Sequence, residues 1–227
     1  MPDPTYEPLV WDAVGERLYN IGVSNGILFP YNSTTNTYDP GVAWNGLTAV
    51  TEKPSGAEPS PFYADNIKYL NILSAEEFAA TIEAVMYPDE FGPCQGTDEL
   101  APGVRISQQK RKMFGFAYKS KIGNDVDGND HTEEWHLIYG CLASVTELAH
   151  NTIGDSTDIE PMSWDISTTP IDVTGKKPTA HIAINKKKVN NDTKWQALET
   201  MLIGSTTAAS HLPSIAELLT IFGTGNG

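Results

Sequence analysis

Cysteine is nearly absent from this 227-residue chain: Cys94 and Cys141 stand alone without CxxC spacing, so neither a disulfide framework nor a four-cysteine zinc site is available. Stability must come from packing. No apolar run approaches the roughly 18 residues needed to cross a bilayer. The opening Met-Pro-Asp-Pro-Thr-Tyr-Glu lacks the basic and apolar regions of a secretion signal, so a soluble protein made in the cytoplasm is expected. Bases are scarce as well: 15 Lys and Arg stand against 29 Asp and Glu, a formal charge of −14. Such a surface repels DNA and anionic membranes on average.

Catalytic signatures are missing too. There is no Gly-rich phosphate loop, nucleophile elbow or Ser/His/Asp arrangement. His131 and His136 bracket Glu133 and Glu134, but the order is neither HExxH nor its inverse, and the spacing does not place both on one helical face. His150, His181 and His211 are isolated and read as surface or packing residues. The expectation is therefore a protein that is not an enzyme, with no cofactor and no metal ligands. One loop, Gly123-Asn-Asp-Val-Asp-Gly-Asn-Asp-His-Thr-Glu-Glu, places Asp125, Asp127, Gly128 and Glu134 in the third, fifth, sixth and twelfth positions of a calcium loop. Its first position is Gly123 and no helix flanks it, so a hairpin turn with local Asx hydrogen bonds is the expected structure.

What the chain has in abundance is turn-punctuated strand pattern. Strands are expected over Val42 to Thr51, Asp65 to Leu73, Phe78 to Tyr87, Val104 to Ser120, Trp135 to Ser144, Ile159 to Thr169 and His181 to Ile184. Phe114, Phe116 and Tyr118 lie on one side of theirs, with Gly115, Ala117 and Lys119 on the other. Ser74 to Glu77 reads as a hairpin turn, and Ala75 to Val85 has a helical alternative that β-branched Thr81, Ile82 and Val85 disfavour. Residues 1 to 30 read as an N-terminal arm or as a short strand at Leu18 to Val23. Lys53 to Pro61, with three prolines, must leave the sheet, and Asp89 to Gly103 is an acidic Gly/Pro loop. A helix capped by Asn190 or Asn191 carries Trp195, Leu198, Met201 and Leu202 on one stripe and ends at Gly204; a second, short one runs from Ser214 to Phe222. The fold class is mainly β, an antiparallel sandwich or barrel with one flanking helix and a short C-terminal helix, in one domain spanning residues 1–227.

Charge and apolar surface mark contacts. Residues 1 to 104 carry 15 acids and 3 bases, residues 105 to 227 carry 14 and 12, so the halves present different surfaces. Lys110, Arg111 and Lys112, and Lys186 to Lys188, are the basic clusters, suited to carboxylates on a second copy or to solvent. Ile215, Leu218, Leu219 and Phe222 make the C-terminal helix so apolar that it must dock on its own sheet or on a neighbour.

The stretch Gly41 to Pro88, with Trp44-Asn-Gly-Leu, Tyr63-Ala-Asp-Asn-Ile-Lys-Tyr and Glu83-Ala through Tyr87-Pro-Asp-Glu-Phe, together with Ala101-Pro-Gly-Val-Arg-Ile-Ser-Gln-Gln, Lys121-Ile-Gly-Asn-Asp-Val and His136-Leu-Ile-Tyr-Gly, resembles the major tail protein, or tail tube protein, of long, non-contractile-tailed bacteriophages. The likeness runs from about Leu18 to Phe222. It implies homo-hexameric rings stacked into a hollow virion tail, each subunit giving strands to an inner β-barrel. It also implies partners in a tape-measure protein and in tail terminator or distal tail proteins, with genomic DNA passing unbound and no membrane contact. Twenty-four strands, four from each of six subunits, give a backbone radius near ~26 Å and a bore of roughly 40 Å, wide enough for a duplex about 20 Å across; twelve strands do not. Glu52, Asp65, Glu76, Glu77 and Glu83 are the expected lumen-facing acids, since cations there would hold phosphates. Lys53, Pro54, Pro59 and Pro61 are expected to contact the next ring, and residues 89–103 form a second inter-subunit loop. Competing readings are a calcium-dependent carbohydrate-binding or adhesion sandwich, a metal hydrolase, and the tube of a contractile phage or phage-like injection particle.

Overall fold

The structure, a computed structural model, describes residues 8–150, 152 and 159–223. Strands β1 (Tyr19–Asn32), β2 (Thr37–Tyr38) and β3 (Val42–Trp44) lead into β4 (Leu47–Glu52). The chain then runs out through β5 (Ser55–Gly56) and β6 (Pro59–Ala64), and back through β7 (Ile67–Leu73), β8 (Glu76–Glu77) and β9 (Ala79–Ala84). A 3-10 turn at Asp89–Phe91, helix α1 (Gly92–Gln95) and the hairpin β10 (Asp98–Ala101) and β11 (Val104–Ile106) follow. The long strands β12 (Phe114–Asn124) and β13 (Gly128–Glu147), then β14 (Met162–Thr168) and β15 (His181–Asn185), complete the sheet before α2 (Lys186–Val189), α3 (Asp192–Ile203) and α4 (Ile215–Phe222).

The main sheet has the order β2-β1-β12-β13-β14-β9-β4, with β3 on β1 and β15 on β13, and its pairs are antiparallel. The expected mainly β, antiparallel class with few helices is what the chain adopts; the sheet folds over itself like a sandwich and does not close into a barrel. The fold-over is organised by β13. Its first half pairs with β15 from Glu134 to Ile138, and its second half passes to β14 from Cys141 onward. Between them Gly140 sits at φ +62, where a Cβ would overlap the Thr169 carbonyl oxygen. The Gly140 carbonyl accepts the Thr169 amide at 2.9 Å, and the Gly140 amide donates to the Tyr38 hydroxyl at 2.9 Å. Only glycine serves here, because left-handed backbone and close backbone approach coincide.

Two cores result. Inside the fold-over, Phe114, Phe116 and Ile138 of one layer meet Ile82, Trp164 and Ile166 of the other, with Trp44 and Phe91 between them. The indole N–H groups of Trp44 and Trp164 donate to the Met86 carbonyl and to Gln95, each at 2.9 Å, so neither buried ring carries an unmet donor. On the outer side of the first layer, Phe29, Trp135, Leu137 and Tyr139 are covered by Trp195, Leu198 and Leu202 of α3 and Leu218 of α4. Asn191 caps α3 by accepting the Lys194 amide at 3.0 Å, and Ser214 with Glu217 forms a capping box on α4. Lys119 ties α3 to the first layer, reaching Glu199 of α3 at 2.8 Å and Glu133 of β13 at 3.0 Å. Burial works against its charge, yet those two carboxylates hold its pKa above the ordinary value.

Several expectations need correction. Residues 19–32 are not an arm: β1 is a 14-residue strand whose Ile27, Leu28 and Phe29 enter the cores. Ser74 to Glu77 is not a turn, because Glu76 and Glu77 pair with Gly56 and Ser55; the reversal is at Asp65 and Asn66, both in the left-handed region, as in a two-residue type I′ hairpin turn. Val104 to Ser120 is not one strand, since residues 107–113 form a loop docked on α1 through Gln109 N–H to Gly96 and Lys112 N–H to Pro93. Asp89 to Gly103 is not wholly a surface loop, because Phe91, Cys94 and Gln95 are buried. We expect Gly140→Ala to destabilise the protein by about 2–3 kcal/mol, read as a lowered urea midpoint at unchanged slope; a midpoint equal to wild type would refute the role given to this bend.

Candidate functional site

Beyond the fold-over, β4 and β9 continue as a paired arm. The registers Ser55↔Glu77, Pro59↔Leu73 and Ala64↔Ile67 trace one ladder from the sheet to its tip, a reach of roughly 30 Å at about 3.3 Å per residue. A two-stranded ribbon in water normally hides one face. This one exposes Phe62 (55%), Tyr63 (65%), Ile67 (61%), Tyr69 (60%), Leu70, Ile72 and Leu73 (65%), drawn from both faces of the ribbon. Such a contiguous apolar surface marks an interaction site rather than scattered surface carbon.

The second exceptional surface is the outer side of the second layer. Cross-strand registers align Thr51, Thr81, Asp165 and Ser144 in one row and Ala49, Glu83 and Ser163 in the next. Helices α3 and α4 lie elsewhere, over the first layer, and α1 packs into the core inside the fold-over. The bare side therefore carries mostly small, hydroxyl and acidic groups, with Leu142 exposed among them. A hydrogen bond from the Thr81 hydroxyl at 2.6 Å holds Asp165 below the usual carboxylate range, and Lys53 sits 3.5 Å from the same carboxylate. Among the described residues nothing pairs with the far edge of β4, nor with β13 beyond Cys141 on the side away from β14. The four strands β13, β14, β9 and β4 thus form a section with both edges open.

The candidate residues sort accordingly. Glu83 is on the bare side, Glu76 and Glu77 are exposed at the root of the arm, and Asp65 is at its tip. Glu52 is not a free surface acid: it shares its row with Ala80 and Ile166 and points between the layers, where the Tyr118 hydroxyl donates to it at 2.7 Å. Its contact with His136 outweighs burial and, with the Tyr118 bond, holds its pKa at about 2. Pro54, Pro59 and Pro61 belong to the outgoing side of the arm, and Lys53 to its base. Lys110, Arg111 and Lys112 are exposed in the docked loop rather than on a strand. The C-terminal helix resolves in favour of its own sheet: Leu218 is buried, Ile215 and Phe222 are half-buried, and Leu219 remains exposed at 58%. Sequence reasoning placed the Lys53 to Pro61 excursion and a strand over Asp65 to Leu73 but did not join them into one arm, although Phe62, Tyr63, Ile67, Tyr69 and Leu70 flanking Asp65-Asn66 are a readable hairpin signal.

The competing sites have other duties. In the 123–134 turn, Asn124 accepts the Val126 and Asp127 amides, Asp125 accepts the Gly15 amide at 3.0 Å, and Asp127 pairs with His131 at 2.7 Å. His131 is therefore in the turn, whereas His136 lies between the layers against Ser120 at 2.9 Å.

Replacing Phe62, Leu70 and Ile72 together by serine should leave the urea stability of the body of the isolated subunit within about 0.5 kcal/mol, because these half-exposed side chains belong to neither core. A larger loss would mean that the arm folds back on its own body.

No family model and no curated protein matches the chain. Among solved structures it overlaps the sheath/tube terminator, in the extended state, of PVC, an extracellular contractile injection system, at 15% identity over 73% of this chain and 97% of that one, with a TM-score of 0.31. At that score the overlap is partial and carries no argument about role, which rests on the surfaces just described.

Proposed function

We propose that this chain is a structural wall subunit, not an enzyme, that assembles with copies of itself into a hollow tube of the phage-tail type. The observation that carries the reading is the four-stranded section with two open edges and an uncovered, acidic and hydroxyl-rich side. Open strand edges are templates for a further strand. Joining the β4 edge of one copy to the β13 edge of the next continues the sheet, and six copies give twenty-four strands and the roughly 40 Å bore that a duplex needs.

In such a ring the bare side faces inward. Glu83 then repels phosphates, Lys53 and Asp165 offset one another, and serine and threonine offer no fixed cation to hold the backbone. The apolar arm leaves the ring and buries its two faces on the adjacent ring, extending the stacking contact expected of Lys53 to Pro61. Tape-measure, terminator and distal tail proteins are the partners this role requires, and the virion or a related injection particle is its location.

Electron microscopy and sedimentation of the purified protein over rising concentration test this. Rings or hollow filaments are the expected result, and a species that stays monomeric at every concentration and in assembling particles would overturn it. The Phe62, Leu70 and Ile72 serine triple should keep the subunit folded but abolish stacking. Glu83→Lys should leave tubes intact while slowing DNA delivery; unchanged delivery through normal tubes would remove Glu83 from the lumen.

A further inference from the structure

Three donor atoms from three different strands converge at the mouth of the fold-over. Glu52 Oε1, on β4 at the root of the arm, lies 3.1 Å from His136 Nδ1 on β13 and 3.4 Å from His181 Nε2 on β15. The two ring nitrogens are 3.1 Å apart, closing a nearly equilateral triangle. A tetrahedral zinc ion with bonds of about 2.0–2.1 Å sets neighbouring donors about 3.3 Å apart. The triangle is already one face of that tetrahedron.

The surroundings are those of a held ligand set. His136 stacks on Tyr118 with centroids 4.5 Å apart and planes 2° from parallel, and His181 stacks on Phe78 at 4.6 Å. The far nitrogen of His136 meets Ser120 Oγ at 2.9 Å, and Tyr118 donates to Glu52, so ring and carboxylate are both oriented by an outer partner, as in metal sites generally. Proton bookkeeping favours a cation as well. A neutral imidazole has one N–H, and whichever tautomers His136 and His181 adopt, their protons cannot satisfy all three close edges at once. At least one edge then sets lone pair against lone pair or N–H against N–H. The negative charges of Glu52 and Glu134 lie near His181 and attract a cation. The cluster opens on a groove lined by Asn20, Gly22 and Val50, which leaves the fourth position to water.

We propose that Glu52, His136 and His181 form a zinc-type divalent transition-metal site that bolts the root of the hairpin arm to the first sheet layer. The ion joins β4, which has no backbone hydrogen bond to β13 or β15, to both of those strands. The assignment stands on the cluster alone and does not require tube assembly.

The test uses untagged full-length protein, stripped with chelator and titrated with ZnCl2 by calorimetry, with metal content read by mass spectrometry. The expected result is one zinc per chain and a thermal midpoint that rises on loading. Glu52→Gln, which keeps shape and the Tyr118 contact, and His181→Ala should each weaken zinc by at least about 100-fold, whereas His131→Ala and His211→Ala should not change it. Near-ultraviolet circular dichroism identifies variants that are folded, and Co2+ substituted into wild type should show four-coordinate visible bands that vanish in Glu52→Gln. Folded wild type that takes up no stoichiometric zinc, or zinc binding that survives in both folded ligand variants, would overturn the proposal.

Discussion

The bend in β13 at Gly140 is the constraint on which the rest of the molecule depends. A single strand of 20 residues hands one of its edges from β15 to β14 at that point, and in doing so carries one sheet from the first layer to the second. The handover forces asymmetry. The first layer has helices on its outer side and the second layer on its inner side, so it is buried twice; the second layer is buried once. Its outward positions, Leu142 apart, accordingly read as small, hydroxyl and acidic, while the inward positions of the same strands include Ile82, Trp164 and Ile166. The bare side and the two open edges are consequences of where the strand changes partners.

That origin explains what the sequence disclosed and what it withheld. The alternation of Phe114, Phe116 and Tyr118 announced a strand but not that Gly115, Ala117 and Lys119 on its other side would be covered too, since burial on both sides depends on α3 arriving from 80 residues later. Local signals worked where local physics decides: Asn191 and Gly204 bounded α3, and Asn124 made its Asx turn. They failed at Ser74 to Glu77, where a polar, acidic tetrapeptide resembles a turn, yet the left-handed pair Asp65-Asn66 had already reversed the chain. The Glu52, His136 and His181 cluster was illegible for a different reason. Its members are separated by 84 and 45 positions, and their meeting depends on the register of β13 with β15 and on the fold-over of β4, neither of which leaves a mark in spacing.

The same asymmetry divides the acids into two populations. Glu52 faces inward, is held by Tyr118 and His136, and stays ionised far below neutral pH because those contacts favour its charge. Glu83 faces outward without such partners, and its charge is available to whatever passes over the sheet. Counting carboxylates in the first half of the chain treats the two alike; the period-2 geometry of β4 and β9, read through their register, separates them.

In the assembly proposed above, copies of charge −14 would have to overcome repulsion among like-charged bodies, and the arm sets the scale of what opposes it. Its seven large apolar side chains are already about half shielded by the ribbon. Burying the remainder on a neighbour contributes on the order of 10 kcal/mol at about 1.5 kcal/mol each. Association of two bodies costs about 4–15 kcal/mol in lost freedom. One arm contact therefore roughly breaks even, which is consistent with a subunit that stays dispersed when dilute despite its apolar ribbon. Strand addition at an open edge has the same marginal character when taken singly. In the proposed ring, six arms held in fixed relation would spare the second and later contacts the full entropic cost, and avidity would rise without any new kind of contact. Growth would then favour completed rings over pairs. An apolar arm of limited strength, set on an acidic body with two open edges, is the combination that would keep free subunits apart and make the proposed assembly cooperative.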